Sequence, residues 1–363
     1  MTKDHLIVDV HTHIYLPEYL DMLRERNQVP RILPPLQEGQ DERLVILPDE
    51  DKGETTKHGR PVGPAYYDVQ EKLAFMERHD IDISIVSLAN PWLDFLPDTK
   101  ETAQWARRLN DAMETYCQQG NATRQLFGMA TLPLSSIDAS VAEVEYVATH
   151  LPHLRGVIMG TAGCQGRGLD DPALLPLYEA LARHQLVIFL HPHYGVNLPS
   201  SRHHNNGHAV ALALGFPFET THAVTQLILA GVLDKVPNLK ILLAHAGGTL
   251  PFLAGRLDSC VAHDPAVANR LQHPPSHYLK MLYYDAVIYH ATGVKAAADL
   301  AGTERLLFGT DHPFFPPLET TTSRWMSVDS NLNAIHHAGL NQDKVSDILG
   351  KNALKLFGIE TTS

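Results

Sequence analysis

The stretch LIVDVHTH (residues 6–13) decides the fold class and supplies the first candidate site. It is an apolar run, typical of a β-strand, that ends in His-x-His. Side chains alternate between the two faces of a strand, so residues two apart point the same way, about 6.5 to 7 Å apart along the backbone. His11 and His13 are therefore predicted to bring two imidazoles to one place, a geometry that suits a shared metal ion.

Three later strand-like runs also end in residues that can bind a metal. They are LVIFLHPH at His191, KILLAHAGG at His245 and RLLFGTDHP at Asp311. A single His-x-His means little, because short motifs have many false positives and two surface or hydrogen-bonded histidines are the alternative. Four apolar runs with His or Asp at their carboxyl ends indicate a common site.

Eight apolar, β-rich segments alternate with helix-patterned segments. The strands are predicted at residues 6–13, 82–90, 125–133, 154–161, 186–193, 240–248, 278–288 and 305–313. The helices are predicted at residues 66–79, 101–119, 137–150, 172–184, 218–233, 250–262, 290–301 and 332–357. Strands that alternate with helices pair in parallel, and eight such units close into an α/β fold, the (β/α)8 TIM barrel. The candidate residues fall at the carboxyl ends of the strands, where this fold has its active site.

Two long segments interrupt this pattern. Residues 14–65, between strand 1 and helix 1, contain Pro-rich and charged pieces and the short run 43–47, and they predict a small hairpin lid over the barrel mouth. Residues 195–215, with His203, His204 and His208, predict a second long loop on the same rim. Although 363 residues would suggest two domains at about 150 residues each, we predict a single domain over residues 1–363.

The bulk composition argues against several kinds of partner. The formal net charge is −12 without a Lys/Arg block, which disfavours a nucleic-acid partner. No apolar run approaches the length of about 18 residues that a membrane span needs, so we expect no membrane partner and a cytoplasmic location. Cys117, Cys164 and Cys260 form an odd set without CxxC spacing, which predicts reduced packing residues rather than disulfides.

The candidate ligands have the chemistry of a catalytic metal site. His11, His13, a further His and a carboxylate would give nitrogen and oxygen ligands with an open position, which favours zinc and leaves manganese, iron or cobalt as alternatives. A buried imidazole at His191 needs a metal or a hydrogen-bond partner. His193 faces the same way, as an alternative ligand, a substrate contact or a polar residue at the loop start. A buried carboxylate at Asp311 would be stabilised by a cation, with a salt bridge or a helix-cap role as the alternative.

Other residues of these runs could act on a substrate. His245 is suited to proton transfer because its unperturbed pKa lies near neutrality. Arg256 could recognise a carboxylate with its guanidinium fork or lie on a solvated helix face. Asn90 offers a donor and an acceptor to an amide-like substrate edge, or is only a turn residue before a proline. Asp9 shares the inward face of strand 1 and could orient a ligand.

Longer motifs add a family resemblance. VDVHTH, FLHPHYG, LLAHAGGTLPFLAGR and FGTDHPFFPP resemble the metal-dependent amidohydrolase superfamily, in its branch of decarboxylases similar to aminocarboxymuconate semialdehyde decarboxylase. The likeness covers nearly the whole chain. Within this branch SLANPWLDFL, GLDDPALLPLYEA, LALGFPFETT and TDHPFFPP look closest to the fungal uracil-5-carboxylate (isoorotate) decarboxylases of thymidine salvage.

The resemblance implies one zinc ion per chain and a set of ligands. These ligands would be His11, His13, His191 and Asp311, with His245 as an acid/base or substrate-binding group near the metal. Asp311 is the other candidate proton donor. The resemblance implies no organic cofactor.

The resemblance also implies substrate contacts and an assembly. It favours substrate-binding roles for Asn90 and Arg256, and it suggests Arg60 and Phe314 as further contacts. In this family the arginine after the HAGG turn can reach into the neighbouring subunit's site, which implies a homodimer or a dimer-based oligomer.

Three departures from the family pattern bear on the reaction. The strand-four stretch LRGVIMGT lacks the lysine that bridges two metals in dinuclear amidohydrolases, which disfavours a two-metal hydrolase. His193 stands where the aminocarboxymuconate enzyme has an aromatic residue, which argues for a different substrate. Residues 14–65 match poorly in detail.

These observations predict a carboxy-lyase that removes CO₂ non-oxidatively from a planar ring carboxylate, with uracil-5-carboxylate as the leading substrate. The alternative substrates are other ortho-oxygenated acids, such as a salicylate or aminocarboxymuconate semialdehyde. The alternative reaction is hydrolysis of a lactone or cyclic amide by a mononuclear zinc enzyme. A catalytically silent barrel is a third alternative.

Overall fold

A parallel barrel carries the candidate residues. The computed structural model describes residues 5–46, 59–97, 100–193, 209–318 and 324–360. Its strands are β1 (Val8–Ile14), β2 (Arg31–Leu33), β3 (Glu42–Val45), β4 (Arg60–Val62), β5 (Ile83–Leu88), β6 (Gln125–Thr131), β7 (Leu154–Gly160), β8 (Val187–His191), β9 (Ile241–Leu243), β10 (Tyr283–Asp285) and β11 (Leu306–Leu307). β1 and β5 to β11 form one eight-stranded sheet of parallel neighbours in chain order.

Backbone hydrogen bonds between the first and last strands close this sheet. Val10 N donates to Phe308 O at 3.0 Å, and His13 N donates to His312 O at 2.7 Å. Asp311 N donates to His11 O at 2.8 Å. The predicted (β/α)8 barrel is therefore confirmed.

Helices follow the strands around the barrel. They are α1 (Pro17–Arg24), α2 (Val69–Arg78), α3 (Lys100–Cys117), α4 (Ile137–His150), α5 (Leu175–Arg183), α6 (Phe216–Leu229), α7 (Val232–Lys235), α8 (Leu250–Ala262), α9 (Pro265–Ala268), α10 (Pro275–Leu279), α11 (Ala291–Ala301), α12 (Met326–His336), α13 (Gln342–Ser346) and α14 (Asn352–Phe357). The apolar sequence ISIVSL of β5 is buried throughout, as expected of a parallel strand covered on both faces. Asp68 and Ser136 accept backbone hydrogen bonds as the N-caps of α2 and α4.

Three predicted elements differ from those observed. The predicted strand 278–288 begins inside α10, because a short apolar run does not distinguish a strand from a buried helical turn. The predicted helix 332–357 is divided into α12, α13 and α14, with a left-handed Gly339 between the first two. The predicted loop up to residue 215 is helical from residue 209, and Ala211–Gly215 forms a π-helical turn that runs into α6. A π-helical turn is not detected by a search for apolar residues at the α-helical period of 3.6.

The insertion after β1 is only partly a hairpin. It contains α1, which the sequence reading missed, and a three-stranded antiparallel sheet of β2, β3 and β4. Tyr15 and Tyr19 donate side-chain hydrogen bonds to the carbonyls of Asn90 (2.9 Å) and Trp92 (2.7 Å), so the insertion holds the loop after β5. Residues 47–58 lie outside the described residues, and the role of the insertion as a lid stays a prediction.

Two further expectations concern the rim and the surface. His203, His204 and His208 lie outside the described residues. Cys117 and Cys164 are buried as predicted, but Cys260 is exposed, because it lies on the outer side of α8. Among the described helices, none is both long enough and apolar enough to cross a membrane.

Candidate metal centre

The ends of three strands bring the predicted ligands together, and His245 follows a fourth strand, β9. His11 and His13 lie on β1, His191 ends β8, and Asp311 follows β11. Ligand atoms of His11, His13 and His191 lie within 4.8 Å of one another, and those of His11, His245 and Asp311 form a second such group. Strand ends distant in sequence thus meet at the carboxyl edge of the barrel.

The hydrogen bonds of the three histidines indicate which nitrogen is free to bind a metal. His11 Nδ1 lies 2.6 Å from Asp285 Oδ2, and His191 Nδ1 lies 2.7 Å from the carbonyl oxygen of Pro192. Both partners only accept, so they assign the proton to Nδ1. His13 Nδ1 lies 3.0 Å from Ser87 Oγ, which donates to a backbone carbonyl and therefore accepts from the ring. Each Nε2 then carries a lone pair for a metal.

The Nε2 atoms of His11 and His13 are buried and have no hydrogen-bond partner among the described residues. They lie 3.4 and 3.5 Å from Asp311 Oδ1. Buried polar atoms are rarely left unpaired, and a divalent cation between the imidazoles and the carboxylate would satisfy all of them. The donor set therefore fits a catalytic metal site of three histidines and one aspartate.

Burial and charge set the protonation of this cluster. Burial lowers the pKa of His191 well below its usual value and that of His13 to about 4, so both imidazoles are neutral. Burial opposes the charged form of Asp311 too, but the adjacent His11 and His13 hold the pKa of that carboxyl well below its usual range, so Asp311 is an anion. Although burial opposes the charged form of His11, the carboxylates of Asp285 and Asp311 raise its pKa to about 10, so a metal ion bound at Nε2 of His11 would displace a proton there.

Asp285 is a part of the site that the sequence reading missed. It is fully buried at the end of β10, and it accepts hydrogen bonds from His11, from His245 N (3.1 Å) and from Ala246 N (3.0 Å). The sequence feature that could have revealed it is an aspartate inside the apolar run YYDAV, at the end of the seventh barrel strand. The predicted strand extended past it to residue 288, which hid its terminal position.

The two candidate proton donors have unusual backbone conformations. Asp311 has φ 60° and His245 has φ 55°, in the left-handed region that residues with side chains rarely adopt. The ring centroid of His245 lies 5.2 Å from that of His11 and 5.4 Å from that of His191. Its Nδ1 is buried, and no residue in the described part of the chain forms a hydrogen bond with it. Both residues are thus held at the cluster in conformations that the surrounding fold must impose.

The predicted substrate contacts fall at different distances from this cluster. The ring of Phe314 lies 5.5 Å from that of His13. Asn90 Nδ2 donates one of its two hydrogens to the carbonyl of His193 at 2.6 Å, which leaves the second N–H and the Oδ1 acceptor for a substrate contact. His193 is buried, with Nδ1 3.3 Å from Asp94 Oδ2, and it borders a cavity of about 640 Å³.

The two predicted arginines lie farther out. Arg60 is half-buried on β4, and its charge acts on the hydroxyl of Tyr66, whose ring lies 5.7 Å from Phe314. Arg256 is exposed on α8, whereas His11, His13 and His191 are buried.

Aromatic rings that the sequence reading did not single out surround the cluster. Phe189 packs edge-on against His11 at 5.0 Å, Phe216 lies 6.2 Å from both His191 and His245, and Trp92 lies 6.1 Å from His191. These rings give the site apolar walls that suit a flat substrate. Periodicity did not mark them, because aromatic residues at strand ends and helix starts also fill ordinary cores.

Comparisons with known proteins identify the family of the chain. Residues 8–359 match the family model described as amidohydrolase. The crystal structure of Metarhizium anisopliae IDCase in its apo form has 41% sequence identity, covers 99% of each chain and superposes with a TM-score of 0.90.

Curated relatives are more distant. The chain is 25% identical over 307 residues to 2-amino-3-carboxymuconate-6-semialdehyde decarboxylase of Dictyostelium discoideum, which covers 84% of this chain and 80% of the relative. It is 27% identical to gamma-resorcylate decarboxylase of a Rhizobium strain, over 68% of this chain and 77% of the relative. The chain therefore belongs to the amidohydrolase family, in the branch of decarboxylases similar to aminocarboxymuconate semialdehyde decarboxylase.

Proposed function

We propose that this carboxy-lyase removes CO₂ non-oxidatively from a planar ring carboxylate, and that uracil-5-carboxylate is its substrate. The observation that carries the proposal is the convergence of three histidine Nε2 atoms and one aspartate, with His245 beside them. The motif resemblance to uracil-5-carboxylate decarboxylases and the 41% identity to IDCase support this substrate.

The proposed metal is one zinc ion per chain, held by His11, His13, His191 and Asp311. Four protein ligands of nitrogen and oxygen suit zinc, and the absence of a thiolate among them leaves other divalent ions as alternatives. When bound, the metal would act as a Lewis acid that binds the substrate carboxylate and an adjacent ring oxygen.

The chain's own residues would supply the proton that replaces CO₂. We propose that His245 or Asp311 protonates the ring carbon that bears the carboxylate; because Asp311 is an anion, it would first take up that proton from solvent. The bond between that carbon and the carboxylate then breaks, its electron pair restores the ring conjugation, and CO₂ leaves. The buried Nδ1 of His245 is without a hydrogen-bond partner in the described ranges, and the ring lies beside that of His191, which favours His245 as the donor.

The surrounding residues would orient the ring. Phe189, Phe216 and Phe314 would hold a flat ring between apolar walls and exclude water. Asn90, His193 and Arg60 would contact its polar edge.

We further propose that the chain, as a single domain, forms a homodimer in which Arg256 acts in the partner subunit's site. Its exposure on α8 supports this arrangement. A planar guanidinium would engage the oxygens of the substrate through two parallel hydrogen bonds.

A salicylate-type acid is the second candidate substrate. The relatives include gamma-resorcylate decarboxylase and 6-methylsalicylic acid decarboxylase of Penicillium expansum, the latter 29% identical over 65% of this chain. Both substrate classes offer a carboxylate next to a ring oxygen, so the same metal chelate serves both.

The test is a substrate comparison with metal removal. The purified protein is incubated with uracil-5-carboxylate or with 2,6-dihydroxybenzoate, and loss of each ultraviolet band is followed. We expect faster loss of uracil-5-carboxylate, about one metal ion per chain by elemental analysis, and no turnover after chelation until zinc is returned. Faster loss of the dihydroxybenzoate would indicate that a salicylate-type acid, and not uracil-5-carboxylate, is the substrate. Full turnover by the metal-free protein would contradict the proposal.

A further inference from the structure

Lys72 is a charged residue in the barrel core that the proposed reaction does not use. It lies on α2 and is fully buried, which is rare for a lysine without a partner. Its Nζ donates to Thr12 Oγ1 at 2.5 Å and lies 3.9 Å from Asp9 Oδ2. Burial lowers the pKa of Lys72 to about 8, and the Asp9 carboxylate opposes this shift.

Stability does not explain a lysine at this position. The loss of hydration offsets most of the attraction in a buried ion pair, and an apolar side chain of similar length would fill the same space. The partners of Asp9 and Thr12 offer a better explanation, because both belong to the strand that carries His11 and His13.

The first branch of contacts runs through Asp9. Its Oδ1 accepts hydrogen bonds from Thr310 N (3.0 Å) and His11 N (3.2 Å), and its Oδ2 accepts from Thr310 Oγ1 (2.8 Å). Thr310 Oγ1 in turn accepts from His312 N at 3.1 Å. This branch therefore fixes the residues on both sides of Asp311.

The second branch runs through Thr12. While its Oγ1 accepts from Lys72, it donates to the carbonyl of His312 at 3.1 Å. The ammonium is thus connected to the 310–312 segment by two routes, both of which start on β1.

This segment needs such support. β11 is only two residues long, and the φ of 60° at Asp311 is unfavourable for a residue with a side chain. Backbone hydrogen bonds from Asp311 N to His11 O and from His13 N to His312 O hold this segment against β1, and the side-chain contacts of its neighbours add to them in setting the place of the carboxylate.

We propose that Lys72 is a positioning residue of the metal centre, which sets the place of Asp311 against the histidines of β1 through Asp9 and Thr12. This inference rests on the metal site of the proposed function. It assigns Lys72 no contact with substrate or metal.

The test compares Lys72→Met with Met76→Ala, a control on the same helix at another fully buried position. Zinc affinity is measured by competition with a chelator, and the thermal midpoint is measured on the metal-free proteins. For Lys72→Met we expect zinc affinity about 10- to 100-fold weaker, as for other residues that orient metal ligands, with a midpoint that changes little. For Met76→Ala we expect a lower midpoint, because a cavity forms, and unchanged zinc affinity.

If Lys72→Met does not fold, Thr12→Val takes its place in the test. It removes the hydroxyl that connects Lys72 to the carbonyl of His312, and it keeps the shape of the Thr12 side chain and the ammonium of Lys72. It should also weaken zinc binding. Parent-like zinc affinity in the folded variant, or equal weakening in Met76→Ala, would overturn the role of Lys72 and leave the proposed function standing. If the unaltered protein binds no divalent metal in the same assay, both proposals fail.

Discussion

The Nδ1 atom of His11 lies 2.6 Å from Oδ2 of Asp285, and both side chains are fully buried. The same carboxylate accepts hydrogen bonds from the backbone of His245 and Ala246. One residue thus orients a candidate metal ligand on β1 and fixes the turn that carries a candidate proton donor. A change at Asp285 should affect metal binding and proton transfer together.

Asp285→Asn tests this coupling. The amide nitrogen cannot accept a hydrogen bond, so either His11 or the turn at His245 loses its partner. We expect metal affinity about 10- to 100-fold weaker and a lower kcat, measured by chelator competition and steady-state kinetics. Asp82→Asn is the control, because Asp82 accepts a hydrogen bond from Ile7 N far from the cluster. Equal effects of the two substitutions would contradict the role of Asp285.

His245→Gln distinguishes the two candidate proton donors. If His245 delivers the proton, kcat should fall by about 10²- to 10⁴-fold, the usual contribution of a general acid. Metal content should stay near that of the parent, since the four proposed ligands, His11, His13, His191 and Asp311, are unchanged. Elemental analysis beside kinetics makes the distinction. Little change in kcat would assign the proton to Asp311.

Arg256→Lys tests recognition across the proposed dimer. Lysine keeps the charge but lacks the planar fork, so kcat/KM should fall by about tenfold or more, or about 1.4 kcal/mol, at unchanged metal content.

A mixing experiment shows which subunit the arginine serves. Inactive Arg256→Ala and Asp311→Ala proteins, allowed to exchange subunits, should regain part of the activity, because a hybrid dimer contains one site with both residues intact. If activity does not recover although subunit exchange is demonstrated, Arg256 acts within its own chain or has no role in the reaction.

Tyr19→Phe tests the connection between the insertion and the site. The substitution removes the hydroxyl that donates to the buried carbonyl of Trp92, which should lower the free energy of unfolding by about 1 to 3 kcal/mol. Because Trp92 packs against His191 and His193, KM should also rise. Tyr146→Phe, at an exposed hydroxyl bonded to Asp111, should change stability by less than about 0.5 kcal/mol. Denaturant unfolding of both variants checks this, and equal stabilities would contradict the role of Tyr19.

The barrel and its ligands could be predicted because their signals are local. An apolar run ending in His or Asp is visible in the chain itself, and parallel pairing then brings such ends together at one edge. The hydrogen bonds that select Nε2 of His11 and His13 could not be predicted, since their partners Asp285 and Ser87 lie on other strands. The burial of Lys72 could not be predicted either, because it depends on how α2, β1 and the 310–312 segment pack together.

Local breaks in the pattern also escaped the sequence. The π-helical turn at Ala211–Gly215 has no periodic signal that separates it from a loop. The helix α1 does have one, because Pro17 stands at its start and the buried Tyr19, Leu20 and Leu23 share one helical face, but the prediction of a hairpin over residues 14–65 overlooked it. The exposure of Cys260 depends on which side of α8 faces the barrel, and composition says nothing about that.

Turnover of uracil-5-carboxylate in heavy water tests the proposed decarboxylation most directly. Decarboxylation leaves a hydrogen from solvent where the carboxylate was, so we expect CO₂ and uracil with one deuterium at the former carboxylate carbon. Mass spectrometry and proton NMR of the product measure both, with the metal-free protein as the control. A ring-opened product without release of CO₂ would contradict the account and indicate a hydrolase.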